Sequence, residues 1–131
     1  MDEIKGLREK VKDLKLLFVD DDKNVWEGTG VFFKKFFDDV TICSDGDQAL
    51  ETFKQEKDFD LVVTDVLMPN MDGVTMAKEI KKIDSDIFII FLTASRGIED
   101  IDENLSEITL QKPLSFEDMI IVMKQLSELK W

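Results

Sequence analysis

The chain has 131 residues, of which 44% are hydrophobic and 35% charged, and it carries a formal net charge of −12 at pH 7. That length suits one domain with a core of its own, and the charge argues against nucleic acid or an anionic membrane as a direct partner of this chain. The sequence has no histidine and no tyrosine. This excludes Ser-His-Asp triads, Cys-His pairs, His-ligated zinc and a phosphohistidine formed on this chain, and leaves carboxylates, hydroxyls, lysine and a metal as the means of any chemistry.

Residues 2–13 form a charged amphipathic segment, with Ile4, Leu7, Val11 and Leu14 at heptad spacing. Two heptads containing Gly6 suit either a short dimerising helix or a helix laid against its own domain. The second reading is favoured, because so short a helix is marginal on its own. Leu14 to Val19 is the first predicted strand, ending in Asp20-Asp21-Asp22. A helix is expected over about Asn24 to Phe37, its buried stripe marked by Val25, Thr29, Phe32 and Phe36 and widened by Val31, Phe33 and Phe37. Val40 to Cys43 is a second strand, and Asp47 to about Lys57 a helix with Ala49, Leu50 and Phe53 inward. Asp60 to Thr64 is the third strand and Val74 to Ile83 a helix with Val74, Ala77 and Ile80 inward. Ile87 to Leu92, wholly apolar, reads as a central strand covered on both faces. A short acidic helix over Ile98 to Leu105, a fifth strand over Ile108 to Leu110 and a last helix over Phe116 to about Leu129 complete the pattern.

Such alternation calls for a parallel sheet with helices on both faces. The lone Cys43 is expected in the core and in a reducing compartment. No apolar run approaches the roughly 20 residues that span a bilayer, and the charged N-terminus is unlike a signal peptide, so the expected location is cytoplasmic.

The polar residues gather at strand ends. The first strand gives Asp20 and Asp21, the third Asp65, the fourth Thr93 and the fifth Lys112. In a doubly wound sheet those ends share one edge. Three carboxylates against one ammonium leave negative charge for a hard divalent cation such as Mg²⁺, which joins carboxylate to phosphate oxygens. Asp65 can then act as a nucleophile toward phosphorus, with Thr93 and Lys112 on the phosphoryl oxygens. A cis Lys112–Pro113 bond would aim that lysine back over the strand ends. Pro69 stops the third strand, and Asp72 is placed to cap the helix that follows.

The stretches Phe18-Val19-Asp20-Asp21-Asp22, Asp60 to Gly73 (DLVVTDVLMPNMDG), Phe91-Leu92-Thr93-Ala94-Ser95 and Leu110-Gln111-Lys112-Pro113 together resemble the receiver domain of bacterial two-component response regulators. The similarity runs from about Leu14 to the C-terminus, leaving 1–13 as an N-terminal helix or linker and 14–131 as the receiver domain. It implies a flavodoxin-like fold with strand order 2-1-3-4-5. It implies that Asp65 accepts a phosphoryl group from a phosphohistidine on a separate sensor kinase or phosphotransfer protein. It further implies that Asp21, Asp65 and the Leu67 backbone carbonyl ligate Mg²⁺, that Asp20 acts mostly through water, and that Thr93 and Lys112 contact the phosphoryl oxygens. Dimerisation on phosphorylation is common in that family and has little support here.

Departures from the family pattern bear on output. Thr109 stands where receivers usually carry an aromatic, three positions before the lysine, and the segment between Thr93 and Lys112 is a few residues short. The usual partner face is therefore expected to be remodelled, with the N-terminal helix involved. Leu67 and Ser95 occupy the positions that tune phosphoryl lifetime in the family. Two rivals stand beside this reading. One is a Mg²⁺-dependent aspartate-nucleophile phosphatase built on Asp20-Asp21-Asp22, disfavoured because Lys23-Asn24 follows and no cap domain is evident. The other is a pseudo-receiver, disfavoured because the acid pair, the acceptor and the lysine are all present. An EF-hand loop from Asp20 fails, with Val25 and Val31 at the required Gly and Glu positions. The length leaves no room for an output domain, so the chain reads as a stand-alone receiver or one excised from a longer regulator.

Overall fold

A run such as Leu61-Val62-Val63, apolar at successive positions, sends side chains to both faces of a strand and needs both faces covered. The computed structural model, which describes residues 2–56, 58–68, 70–93, 108–111, 114–129 and 131, supplies that cover. The elements run α1 (Asp2–Val11), β1 (Lys15–Val19), α2 (Lys23–Val25), a π turn (Trp26–Gly30), α3 (Val31–Phe36), β2 (Asp39–Cys43), α4 (Gly46–Glu56), β3 (Leu61–Asp65), α5 (Gly73–Ile83), β4 (Phe88–Thr93), β5 (Ile108–Gln111) and α6 (Phe116–Ser127). The strands form one parallel sheet in the order β2-β1-β3-β4-β5. The expected helix over Ile98–Leu105, the Ala94-Ser95 step, Pro69 and the Lys112–Pro113 bond lie outside the described residues.

Alternation along each strand divides the core in two. Leu16, Phe18, Leu61, Val63, Ile90 and Leu92 face a layer built by α1, α3 and α6. Leu17, Val19, Val62, Ile89 and Phe91 face α4 and α5. Phe18, Phe37, Phe53 and Phe91 are fully buried, and burial of such a side chain stabilises by about 1.5–3 kcal/mol. Among the described residues, no helix is long and apolar enough to cross a membrane.

Helix α1 joins the first layer. Leu7, Val11 and Leu14 are buried against a cluster that includes Phe33, Phe36, Met119 and Met123, while Ile4 is partly buried. Arg8 hydrogen-bonds Asp38 at 2.8 Å, pinning α1 beside the start of β2. Val11→Ala should therefore lower the free energy of unfolding by about 1–3 kcal/mol. Urea denaturation measures this, and a loss under about 0.5 kcal/mol would mean that α1 is not part of the cooperative core.

Two sequence expectations are corrected in this layer. The single helix over Asn24 to Phe37 is broken by the π turn at Trp26–Gly30. Val31 points to solvent at 48% exposure and does not widen the buried stripe. The extra residue in a π turn rotates the helix beyond it, so Phe33, Phe36 and Phe37 take the buried positions. On α5 the inward set gains Met76, and α6 buries Met119, Val122, Met123 and Leu126, while Phe116 in its first turn stands 57% exposed.

Candidate functional site

The register aligns the carboxyl ends of the strands. Val19 pairs with both Cys43 and Thr64, Asp65 with Leu92, and Thr93 with Gln111. The residue after each strand end therefore emerges at one edge of the sheet. Asp20 is held there by its own amide, which donates to the Cys43 carbonyl at 3.1 Å. Its Oδ1 accepts from the Asp22 amide at 2.9 Å, and Asp22 in turn caps α2 by accepting from the Asn24 amide at 2.9 Å. The sequence Asp20-Asp21-Asp22 thus divides its labour. Asp20 is fully buried, Asp21 is exposed, and Asp22 serves the helix.

Asp65 closes β3 and is 7% exposed. Its Oδ1 accepts from the Val66 amide at 2.8 Å, which fixes the plane of the carboxylate. Its backbone carbonyl accepts from Thr64 Oγ1 at 2.8 Å. The Gly73 amide donates to the Val66 carbonyl at 2.7 Å, folding the start of α5 back onto the end of β3. A Cβ on Gly73 would fall inside van der Waals contact with the Asp65 carbonyl. The connection between them contains Asn70 at φ 71°, a left-handed conformation that Asn tolerates well. Asp72 caps α5, accepting from the Thr75 amide at 2.7 Å.

The structure brings together one carboxylate oxygen from each of Asp20, Asp21 and Asp65, all within 4.8 Å of one another. Mg²⁺ ligates oxygens at about 2.1 Å, so oxygens on opposite sides of the ion sit about 4.2 Å apart. The three carboxylates fit such an ion with small side-chain rotations, and their all-oxygen chemistry suits a hard cation. Thr93 is buried at the end of β4, one register step beyond Asp65. Leu67 lies two residues past Asp65 with its side chain 64% exposed. Lys112 lies outside the described residues and directly follows Gln111, the partner of Thr93. Cys43 contributes only backbone to this edge. Its thiol is buried and hydrogen-bonded to Thr52 at 3.7 Å, and burial pushes its pKa up.

Sequence reasoning passed over Thr64, which looks like one more member of the apolar run. Only its hydrogen bond to the Asp65 carbonyl reveals its part in setting the strand end. Gly73 reads in sequence as a turn residue, and the space it leaves for Asp65 is visible only in three dimensions.

Residues 16–124 match the family model of the Response regulator receiver domain. The transcriptional regulatory protein RprY of Bacteroides fragilis is 33% identical over 113 residues, covering 81% of this chain and 46% of its own length. The response regulator receiver protein CpdR of Brucella abortus is 30% identical over 109 residues, covering 81% of this chain and 90% of its own. The response regulator TrrA of Thermotoga maritima, solved in complex with Mg²⁺-BeF, superposes with a TM-score of 0.76 at 28% identity over 87% of this chain and 99% of that one. The chain spans 20–46% of the length of several transcription regulators that it matches, RprY included.

Proposed function

Because the chain belongs to the response regulator receiver domain family of two-component signalling, we propose that it is a phosphorylation-dependent switch in which Asp65 accepts a phosphoryl group from a phosphohistidine on a separate kinase or phosphotransfer protein. The observation that carries this reading is the convergence of Asp20, Asp21 and Asp65, with oxygens within 4.8 Å, at the carboxyl edge of the sheet. A carboxylate oxygen of Asp65 attacks phosphorus, the bond from phosphorus to the donor nitrogen breaks, and its electrons return to the donor's imidazole. Residues 1–131 contain no histidine, so the donor histidine lies outside this stretch.

Asp20, Asp21, Asp65 and the Leu67 carbonyl would hold Mg²⁺. When bound, the ion neutralises charge on the phosphoryl oxygens, the main requirement of such transfer. The Val66 amide keeps the Asp65 carboxylate oriented through Oδ1. The Thr93 hydroxyl and the Lys112 ammonium are proposed to take the remaining phosphoryl oxygens. RprY is a transcriptional regulatory protein and CpdR a response regulator receiver protein, and for this chain too a signalling role is proposed rather than catalysis on an outside substrate.

Intact-mass measurement after incubation with acetyl phosphate and Mg²⁺ tests the reading. One phosphoryl adduct is expected, lost both in Asp65→Asn and with EDTA. No adduct in the metal-replete wild type would favour an unphosphorylated interaction module. An adduct that survives Asp65→Asn would point to Asp20 and a phosphatase-like site.

Leu67 bears on how long the adduct lasts. An apolar side chain cannot orient an attacking water by hydrogen bonding, and Leu67 stands 64% exposed beside Asp65. Slow self-dephosphorylation follows. Leu67→Asn should shorten the adduct half-life by about 3–10-fold, which is worth roughly 0.7–1.4 kcal/mol of barrier. A decay time course by mass spectrometry reads this out, and an unchanged half-life would remove Leu67 from the account.

A further inference from the structure

Helices α1 and α6 leave a groove of about 330 Å³ between them. Its apolar surface is made by Ile4, Phe116, Ile120 and Ile121. Phe116 is 57% and Ile121 55% exposed, although both lie on a helix that otherwise buries Met119, Val122, Met123 and Leu126. Phe116 is held in place from below, its ring meeting that of Phe32 edge-on at 5.7 Å between centroids. An aromatic anchor already fixed on a rigid helix, beside a second exposed apolar side chain, is the usual make-up of a binding hot spot.

The groove's rim is acidic. Glu3 and Glu117 line it, and the one lysine among its described lining residues, Lys124, is paired with Glu3 at 2.5 Å. Among the described lining residues this leaves the carboxylate of Glu117 without a cation beside it, within a chain of net charge −12. A field of that sign steers basic partners inward and repels acidic ones.

We propose that the α1–α6 groove docks a basic amphipathic helix of a partner protein, with apolar side chains at helical spacing seated on Phe116 and Ile121 and lysines or arginines facing Glu117. Laying the apolar face of an amphipathic helix into a hydrophobic groove is a recurring mode of peptide recognition. The proposal goes beyond phosphoryl chemistry at Asp65, and its test does not involve that residue.

The probe is a fluorescein-labelled 16-residue Leu/Lys peptide with a helical apolar stripe, titrated with the full chain and followed by anisotropy at low and moderate salt. A scrambled Leu/Lys isomer and a Leu/Glu counterpart are the comparison peptides. Binding is expected for the patterned Leu/Lys peptide only. Ile121→Ala and Glu117→Lys should each weaken it at least fivefold, and Glu117→Lys should also flatten its salt dependence. Ile83→Ala, which removes an exposed apolar side chain at the far end of α5, should leave it unchanged. Equal binding of the scrambled peptide would reduce the effect to net charge and overturn the proposal. So would equal binding of the Leu/Glu peptide, or equal responses to Ile121→Ala and Ile83→Ala. A wild-type chain that sediments as a dimer, and as a monomer in Ile121→Ala, would replace the proposed partner with a second copy of this chain.

Discussion

Gly73→Ala is expected to slow phosphorylation of Asp65 about 100-fold and to destabilise the fold by about 1–3 kcal/mol. The added methyl would meet the Asp65 carbonyl oxygen and then the backbone of Val66, and neither is a flexible side-chain end that can swing aside. The only relief is to part α5 from β3, which strains the Gly73–Val66 hydrogen bond at 2.7 Å. Asp65 moves with its own backbone, and a displacement of about 1 Å at a reacting group is enough for a loss of that size. Helix propensity works the other way, since Ala is favoured over Gly within a helix by about 1 kcal/mol. The steric term is larger because backbone must shift. Single-turnover phosphorylation by acetyl phosphate, with a thermal melt beside it, measures both effects. A wild-type rate with a raised melting temperature would show that the β3–α5 junction yields without cost.

Asp20→Asn should stabilise the chain in the absence of metal and lose much of that advantage when Mg²⁺ is present. In EDTA it should raise the melting temperature by roughly 3–10 °C, corresponding to about 1–2 kcal/mol. Three carboxylate oxygens lie within 4.8 Å, and two unit charges at that distance repel by about 3 kcal/mol at an effective dielectric of about 20. Exposure of Asp21 to solvent reduces its share of that repulsion. Asparagine retains an oxygen that can accept from the Asp22 amide, now made at 2.9 Å, so the local turn survives. With Mg²⁺ at 100 times its dissociation constant the wild type should gain about 2.7 kcal/mol, and the variant most of a unit less. The same melts in Mg²⁺ and in EDTA test this. A variant that melts lower in EDTA and gains as much as wild type from Mg²⁺ would remove Asp20 from the metal site.

The parallel sheet could be read from the sequence because its strands are apolar at successive residues. Leu61-Val62-Val63 and Ile89-Ile90-Phe91-Leu92 admit no one-sided strand, and the helices between them leave little choice of topology. The acids of the site stood out for the same reason. A buried apolar run that stops at Asp20 or Asp65 places charge where burial costs most unless something positive is near. The π turn was hidden because Phe32, Phe33, Phe36 and Phe37 crowd more than one side of the helix, so its period is hard to fix. Val31 was drawn inward by that crowding and is in fact exposed. The seat of α1 was equally hard to choose. Ile4, Leu7, Val11 and Leu14 have the spacing of a coiled coil, and only contact with Met119 and Met123 shows that the chain itself provides the partner.

The π turn at Trp26–Gly30 also bears on how the chain can vary in length. A π turn closes over one residue more than the α turn it replaces. Deleting Gly28, around which a side chain would meet nothing, should therefore convert this segment to uninterrupted α-helix while keeping Asp22 at one end and Phe33 and Phe36 against the sheet at the other. Homologues one residue shorter between the acid pair and β2 are accordingly compatible with the same core. An alignment gap in this helix marks a change of winding rather than a change of fold.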